Sequence, residues 1–218
     1  MQITILTLFP DSLKPYFASS IPGRAEKKGL VQIRLVNIRD YAYDSHKTVD
    51  DRPYGGGAGM ILKVDIVHKA IEANRLKGGL KRKNFKEKVV LTDPTGKIFR
   101  QSTARRFSRL DHLIIVSGHY EGIDERISNF IDETVSIGRY ILTGGELPAT
   151  VIADCVIRLI PNVLPKEAAS KNESYSLKNI KEAPQYTRPS EYRGFKVPEI
   201  LKGGNHRKID DWNKTHPK

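Results

Sequence analysis

Short apolar runs alternate with amphipathic stretches along most of the chain. Runs rich in β-branched and aliphatic residues are typical of strands, and they are ITILTLF, LVQIRLVNI, KVVLT, HLIIVSG and ETVSI. Stretches with helical spacing of apolar residues lie between them: DSLKPYFASS, IPGRAEKKG, KVDIVHKAIEANRL, STARRFSRL, IDERISNFI and a long helix from Glu146 to about Ile160. Strands that alternate with helices predict an α/β fold with a parallel sheet covered on both faces.

The pattern changes towards the C-terminus and predicts a second domain. Residues 1–165 form the predicted α/β domain, and residues 166–180 are polar with little periodicity, which is typical of a linker. Residues 181–218 carry a predicted short helix around Ile209 to Trp212 and form a small, mostly helical C-terminal domain. Because so short a segment buries little core by itself, we expect it to dock on another surface.

Positive charge is concentrated in one segment. The net charge is +12, and residues 75–109 hold twelve Lys or Arg against two acidic residues. A local positive field attracts polyanions, so the segment favours nucleic acid as a partner over the alternative of a solvated surface. The single cysteine, Cys155, fits a reducing compartment, and no apolar run is long enough to cross a bilayer. We therefore expect a cytoplasmic protein without a membrane partner.

Three glycine-bearing loops predict a pocket. TDPTGK, SGHYEGIDER and IGRYILTGGE each follow a predicted strand, and ligands of open α/β sheets bind outside the carboxyl ends of strands. Glycines let backbone groups approach a flat ring closely. Glu146 at a helix start disfavours phosphate, since two negative charges would share one helix end. The loops thus favour a neutral or cationic heterocycle, with ordinary turn chemistry as the alternative.

Other familiar site chemistries are not supported by the residue spacing. The glycine-rich segment PYGGGAGM has Met60 where a P-loop needs Lys, and its glycines lack the dinucleotide-binding spacing. The six histidines show no zinc-like pairing, so we predict no metal site. No Ser-His-Asp order is evident.

Several long motifs resemble the bacterial tRNA (guanine-N1)-methyltransferase family TrmD, of the SPOUT superfamily. They are DDRPYGGGAGM, SGHYEGIDER, SIGRYILTGGELPA, RLIPNVL, YTRP and GGNH, in the order of the family and over nearly the whole chain. The resemblance implies a SPOUT-type parallel sheet with a deep C-terminal trefoil knot that binds S-adenosyl-L-methionine. The implied cofactor-binding residues are Pro94, Gly96, Gly118, Tyr120, Glu121, Ile137, Gly138, Arg139, Tyr140, Ile141, Leu142, Gly144, Gly145 and Pro148.

The same resemblance implies a reaction and its partners. Family members are homodimers that methylate N1 of guanosine 37 in the anticodon branch of tRNA, with each active site shared between subunits. A carboxylate removes the N1 proton, and an arginine stabilises charge on guanine O6; the matching residues are Glu173 and Arg158. Glu121 and a magnesium ion are also implicated.

The chain departs from the family pattern at three points. Glu173, Ser174 and Tyr175 stand where the family has Asp-Ser-Phe, which places the carboxylate one methylene further out. Arg139 replaces an aspartate. The sequence ends soon after Trp212, where family members continue, so we expect a weaker grip on tRNA or more reliance on residues 75–109.

Two other functions remain open. One is a related SPOUT enzyme that methylates a ribose 2′-hydroxyl or a different base, which PYGGGAGM and YTRP disfavour. The other is an RNA-binding protein that has lost catalysis, for which the Asp-to-Glu replacement at position 173 is the best argument.

Overall fold

A computed structural model describes residues 1–76, 84–165 and 182–216 of the chain. The chain divides into two units, of which the first is Met1–Pro165 and the second is Lys166–Lys218. Among the described helices, none is long and apolar enough to cross a membrane.

The first unit is built on a five-stranded sheet in which all neighbouring strands are parallel. Its strands are β1 (Gln2–Thr7), β2 (Gln32–Asn37), β5 (Glu87–Ile98), β6 (His112–Ser117) and β7 (Glu133–Ser136), in the spatial order β2-β1-β6-β5-β7. A separate antiparallel pair consists of β3 (Asp50–Asp51) and β4 (Ile61–Leu62). The predicted α/β fold with a parallel sheet is confirmed.

Helices cover both faces of this sheet. They are α1 (Pro10–Phe17), α2 (Ser20–Lys27), α3 (Val64–Asn74), α4 (Gln101–Phe107) and α5 (Glu146–Ile157), with 3-10 helices at Ile38–Tyr41 and Glu125–Phe130. In β6, Leu113 and Ile115 join the core beneath α1, α2 and α5, whereas Ile114 and Val116 join the core beneath α3. Because successive strand residues point to opposite faces, burial on both sides gives this strand its continuous apolar run.

The strand register brings several strand ends to one edge of the sheet. Thr92 of β5 pairs with Ser117, the last residue of β6, and with Val135 of β7. The β5–β7 pairing then shifts and resumes at Lys97, so residues 93–96 leave the ladder. The predicted loop TDPTGK is therefore an interruption within β5, and it lies side by side with the starts of the loops after β6 and β7.

Two predicted helices differ in type or length. The stretch IDERISNFI forms a 3-10 helix, because the Asp124 carboxylate accepts the Arg126 backbone N–H at 3.0 Å and starts a tight turn. Helix α5 ends at Ile157 rather than near Ile160. Its last turn tightens there, since the Leu159 N–H donates to the Val156 carbonyl, three residues back.

The second unit contains a strand pair as well as helices. Its described elements are β8 (Glu191–Tyr192), β9 (Phe195–Lys196), α6 (Glu199–Lys202) and α7 (His206–Thr215). The short helix predicted around Ile209 to Trp212 lies within α7, and the ring of Trp212 stacks on that of His216 with centroids 4.7 Å apart.

Candidate active site

The interruption of β5 after Thr92 and the loops after β6 and β7 line a cavity of about 280 Å³. Its position is the edge at which ligands bind to open parallel sheets. The cavity is lined by twelve of the fourteen cofactor-binding residues that the resemblance implies: Pro94, Gly118, Tyr120, Glu121, Ile137, Gly138, Tyr140, Ile141, Leu142, Gly144, Gly145 and Pro148. The two others, Gly96 and Arg139, do not line it.

Gly96 lies against a neighbouring strand instead. A Cβ atom at this position would lie 2.6 Å from the Val135 backbone nitrogen and 2.8 Å from the Thr134 carbonyl oxygen. The glycine therefore allows β5 to rejoin β7 after residues 93–96 leave the ladder. Arg139 is exposed to solvent.

The surroundings of Gly145 show why a residue without a side chain is needed where the loop enters α5. A Cβ atom there would lie 2.8 Å from the Gly118 nitrogen and 2.9 Å from the Ser117 Cα atom. The Gly145 N–H donates to the Gly118 carbonyl at 2.7 Å, and His119 forms an isolated antiparallel bridge with Gly144. The loop after β7 is thus fastened directly to the loop after β6.

Tyr120 lies in the loop after β6 with an unusual backbone conformation. Its φ angle is +58°, in the left-handed region that costs non-glycine residues free energy and that recurs at functional sites. Its hydroxyl accepts a hydrogen bond from the Arg39 guanidinium at 3.0 Å. Arg39 therefore fixes the outer end of a side chain that lines the cavity.

The glycine loop, residues 53–60, packs against the same cavity loop. The Glu121 N–H donates to the Met60 carbonyl at 3.0 Å, and a Cβ atom at Gly59 would lie 2.8 Å from Glu121 Oε1. The φ angle of Gly59 is +84°, a conformation that also favours glycine. The glycine loop, which lacks the spacing of a nucleotide-binding motif, thus packs against Glu121, whose carboxylate lines the cavity.

A polar cluster beneath the Gly144–Gly145 turn was not found by sequence reasoning. The Thr7 hydroxyl donates to Glu146 Oε1 at 2.7 Å, and Glu146 Oε2 lies 3.7 Å from His119 Nδ1. The carboxylate is at the first residue of α5, where the helix dipole favours negative charge. The sequence offers Glu146 only as an argument against phosphate, because its contacts depend on chain segments far apart in sequence.

Other lining residues were also missed as site residues. They are Thr92, Asp93, His119, Gly122, Val135, Ser136 and Thr143. Four of them lie within the motifs that carry the resemblance, two lie in TDPTGK and Val135 flanks a motif, so membership of these segments is the signal that could have found them.

Arg158 lies far along α5 from the cavity of its own chain. Ten residues separate Pro148, which lines the cavity, from Arg158 at the end of the helix, and at the rise of an α-helix they span roughly 15 Å. Leu147 and Val151 are 62% and 42% exposed, and with Arg158 they share one face at helical spacing. Glu173, the implied base, lies outside the described residues.

Side chains that could form a metal site are not gathered in the described part of the chain. Within residues 1–76, 84–165 and 182–216, no group of three or more His, Cys, Asp or Glu side chains could hold a metal ion.

Comparison with known proteins gives a match over the whole chain. The family model described as tRNA (Guanine-1)-methyltransferase TrmD matches residues 1–218. A protein from Ruminiclostridium cellulolyticum is 49% identical over 213 residues, which cover 97% of this chain and 89% of the relative. A Carboxydothermus hydrogenoformans protein is 49% identical over 215 residues, which cover 98% of this chain and 81% of the relative.

A third relative, from Bacillus subtilis, is 46% identical over 213 residues, which cover 97% of this chain and 85% of the relative. All three relatives are named tRNA (guanine-N(1)-)-methyltransferase.

Proposed function

Because the chain belongs to the tRNA (guanine-1)-methyltransferase family TrmD, we propose that it transfers a methyl group from S-adenosylmethionine to N1 of guanosine 37 in tRNA. One observation carries the proposal: three glycine-bearing segments at the carboxyl edge of the sheet form a cavity, and two of them lie within the motifs SGHYEGIDER and SIGRYILTGGELPA that are shared with the family. Substrate, cofactor and assembly each have further support in the structure.

The cavity fits an adenine nucleoside better than a phosphate. Its volume of about 280 Å³ is near the lower end of small-ligand pockets, and its glycines allow the backbone to approach a flat ring closely. Asp93 and Glu121 line it, and their carboxylates suit ribose hydroxyls and a cationic sulfonium. When bound, S-adenosylmethionine supplies an electrophilic methyl group, while the cavity residues orient it.

The loop connections support the trefoil knot of the family. After β7, at the sheet edge beside β5, the chain returns across β5 to bond the loop after β6, where the Gly145 N–H meets the Gly118 carbonyl. It then enters α5, which packs beneath β1 and β6. Knots are rare in proteins, and we infer this one from family membership together with that crossing.

The exposed face of α5 supports a homodimer with shared active sites. Leu147, Val151, Tyr140 and Ile141 expose neighbouring apolar surface at the cavity and along α5, and such patches mark protein interfaces. Arg158 lies on that face about 15 Å from its own cavity. A second copy packed on α5 brings this arginine towards the cavity of its partner.

Two side chains carry the chemistry at guanine in this proposal. Glu173 accepts the N1 proton, which frees the lone pair that attacks the methyl group, and Arg158 donates hydrogen bonds to O6 as negative charge develops there. Glutamate supplies the same carboxylate as the aspartate of the family. A role for magnesium, which only the family resemblance implies, and the cytoplasmic location expected from the sequence both stay predictions.

Basic residues support tRNA as the substrate. Arg100, Arg105 and Arg109 lie on or beside α4, in the segment with the largest excess of positive charge. Cationic side chains of this kind bind phosphates independently of sequence. We expect this segment to hold the anticodon branch, while the cavity holds the methyl donor.

Methyl transfer to defined tRNAs tests the function. A tRNA with guanosine at positions 36 and 37 should accept labelled methyl groups on N1, and one with adenosine at 37 should not. Methylation of a ribose, or of a base other than guanine, would establish the related SPOUT activity instead. Absence of transfer despite RNA binding would establish the non-catalytic alternative.

Glu173→Gln tests the base. The variant should lose at least about a hundredfold in kcat, because glutamine cannot accept the proton, while affinity for the methyl donor stays within about twofold. Glu167→Gln, in the same polar segment, is the matched control and should keep full activity. Unchanged turnover by Glu173→Gln would refute this assignment.

A further inference from the structure

We propose that His119 binds the carboxylate of the amino-acid part of the methyl donor, and that Glu146 is the residue that positions its imidazole. This inference rests on the proposed function, since it concerns the same cavity. It assigns a role to a polar cluster that neither the motifs nor the family resemblance singles out.

The charges around the cavity call for such a residue. The donor carries a sulfonium, an ammonium and a carboxylate. Asp93 and Glu121 are suited to its cationic groups, and Tyr120 and Tyr140 are neutral hydrogen-bonding groups. Among the described residues that line the cavity, only His119 has a side chain that becomes positively charged on protonation. A carboxylate brought into the cavity is therefore matched by this imidazole.

The imidazole is held in place by aromatic rings and carries an unsatisfied nitrogen. The rings of Phe9 and Tyr120 each meet the His119 ring edge-on, with centroids 4.9 Å away. The Nδ1 atom of His119 is buried and has no hydrogen-bond partner among the described residues. Leaving a buried polar atom unpaired is costly, so the cluster is set to form one more hydrogen bond.

Glu146 is the partner within reach of that nitrogen. Its Oε2 atom lies 3.7 Å from His119 Nδ1, which is longer than a hydrogen bond, and closure by less than about 1 Å would form one. Its other oxygen already accepts the Thr7 hydroxyl, which in turn accepts the Phe9 backbone N–H at 3.0 Å. With Nδ1–H donated to Glu146, a protonated ring has Nε2–H left to donate to the ligand carboxylate.

The pair is coupled to the turn that shapes the cavity. A Cβ atom at Gly144 would lie 2.6 Å from His119 Nδ1, so the backbone of the turn rests on the imidazole. The imidazole and the turn are therefore in contact, so a displacement of either one affects the other. This arrangement explains why a carboxylate and a histidine lie beneath a glycine turn rather than apolar side chains.

Two ligands that differ by the amino-acid part test the proposal. S-adenosylhomocysteine has the carboxylate and ammonium, whereas 5′-methylthioadenosine has the nucleoside and sulfur without them. In titration calorimetry, His119→Ala and His119→Gln should each lower the affinity for S-adenosylhomocysteine about tenfold or more, as expected for a lost charged hydrogen bond. Affinity for 5′-methylthioadenosine should stay within about twofold. The ring of His68 stacks on Phe130 and does not line the cavity, so the control variant His68→Ala should change neither affinity.

Glu146→Gln tests the positioning role. The glutamine amide oxygen can still accept the Thr7 hydroxyl, but the substitution removes the negative charge beside Nδ1. The affinity for S-adenosylhomocysteine should therefore fall, while the affinity for 5′-methylthioadenosine should not. Unlike a purely structural role, a positioning role predicts a loss confined to the ligand that has the carboxylate.

The possible outcomes separate this inference from the proposed function. If both His119 variants lowered the affinity for the two ligands equally, or lowered neither affinity, the role of His119 would be overturned and the proposed function would stand. A wild-type protein that binds neither ligand would instead overturn the proposed function. Thermal melting of each variant shows that the fold is retained, and the His119→Gln variant keeps the test valid if the alanine variant unfolds.

Discussion

At the scale of single residues, chemically identical side chains receive different roles from their surroundings. His112 is fully buried, with Nδ1 2.7 Å from Glu87 Oε2 and Nε2 2.9 Å from Thr4 Oγ1. Burial lowers the pKa of His112, and a neutral ring satisfies both contacts, by donating from Nδ1 and accepting at Nε2. His119 lines the cavity with Nδ1 unpaired. The sequence places His112 in a strand and His119 in a glycine loop, but it does not reveal their partners, because the contacts come from distant segments.

Gly145→Ala tests how much the cavity depends on bare backbone. The φ angle of Gly145 is −83°, which alanine also adopts, so any cost comes from the Cβ contacts with Thr92 Oγ1, Gly118 and Ser117. We expect a loss of about 1–3 kcal/mol in the free energy of unfolding, typical of overpacking, and at least about tenfold weaker donor binding. Urea unfolding and calorimetry measure the two effects.

Gly203→Ala is the control for that substitution. Gly203 has a similar φ of −81° and no atom within 3.9 Å of the added Cβ, so stability and donor affinity should stay near wild type. If Gly145→Ala behaved like this control, close backbone approach would not shape the cavity.

At the scale of elements, ion pairs fasten β7 to its neighbours just before the cavity loop begins. Glu133, the first residue of β7, accepts a hydrogen bond from Lys88 of β5 at 2.6 Å and forms an ion pair with Arg106 of α4. The Arg106 guanidinium, with Lys88, lowers the pKa of Glu133 to about 2. The side chain of Glu133 is 18% exposed, so solvent screens these contacts only in part.

Glu133→Gln should therefore lower stability in a pH-dependent way. A carboxylate with a lowered pKa stabilises the fold fully above its ordinary pKa of 4.5, and this contribution is lost as the pH falls towards 2. We expect a loss of about 1–2 kcal/mol at pH 7, after allowing for screening at the half-exposed Arg106, and a smaller difference from wild type at pH 3.

Asp40→Asn is the matched control in urea unfolding. Asp40 pairs with Lys47 at 2.9 Å, but both side chains are more than half exposed. The substitution should therefore change the free energy of unfolding only slightly. An equal loss at pH 7 and pH 3 for Glu133→Gln would show that its role is packing rather than charge.

At the scale of the whole molecule, α5 joins the cavity to the surface proposed for dimer contact. Its buried face packs Ile152 and Val156 into the core, while Leu147 and Val151 face solvent. A helix that is apolar on both faces is expected where a second surface covers the outer one. The family membership and this face together support a homodimer.

Leu147→Glu and Val151→Glu test that assembly. Each places a charge in the proposed contact, so sedimentation should show monomers with an unchanged circular dichroism spectrum. Methyl transfer should be lost, because Arg158 no longer reaches the cavity of a partner. Tyr43→Glu, at a 67% exposed position away from α5, should leave the assembly intact. A dimer that persisted in both α5 variants would place the interface elsewhere.

The sequence by itself determined the alternation of strands and helices, the parallel sheet, the glycine loops and the family. These features depend on local periodicity, on turn residues and on motifs that are continuous in the chain. Sequence reasoning also named most residues that line the cavity, since they lie within those motifs. The spacing around Glu125–Phe130 predicts an ordinary helix rather than the 3-10 helix found there, because spacing does not reveal a turn started by one carboxylate.

Only the tertiary structure decided which of these residues meet. It put Gly96 against β7 rather than in the cavity, and it brought Thr7, His119 and Glu146 together from three segments. It also showed that Arg158 lies at the far end of α5 from the cavity. The physical reason is that strand order and register fix distances between segments remote in sequence, and no local pattern of apolar and polar residues encodes those distances.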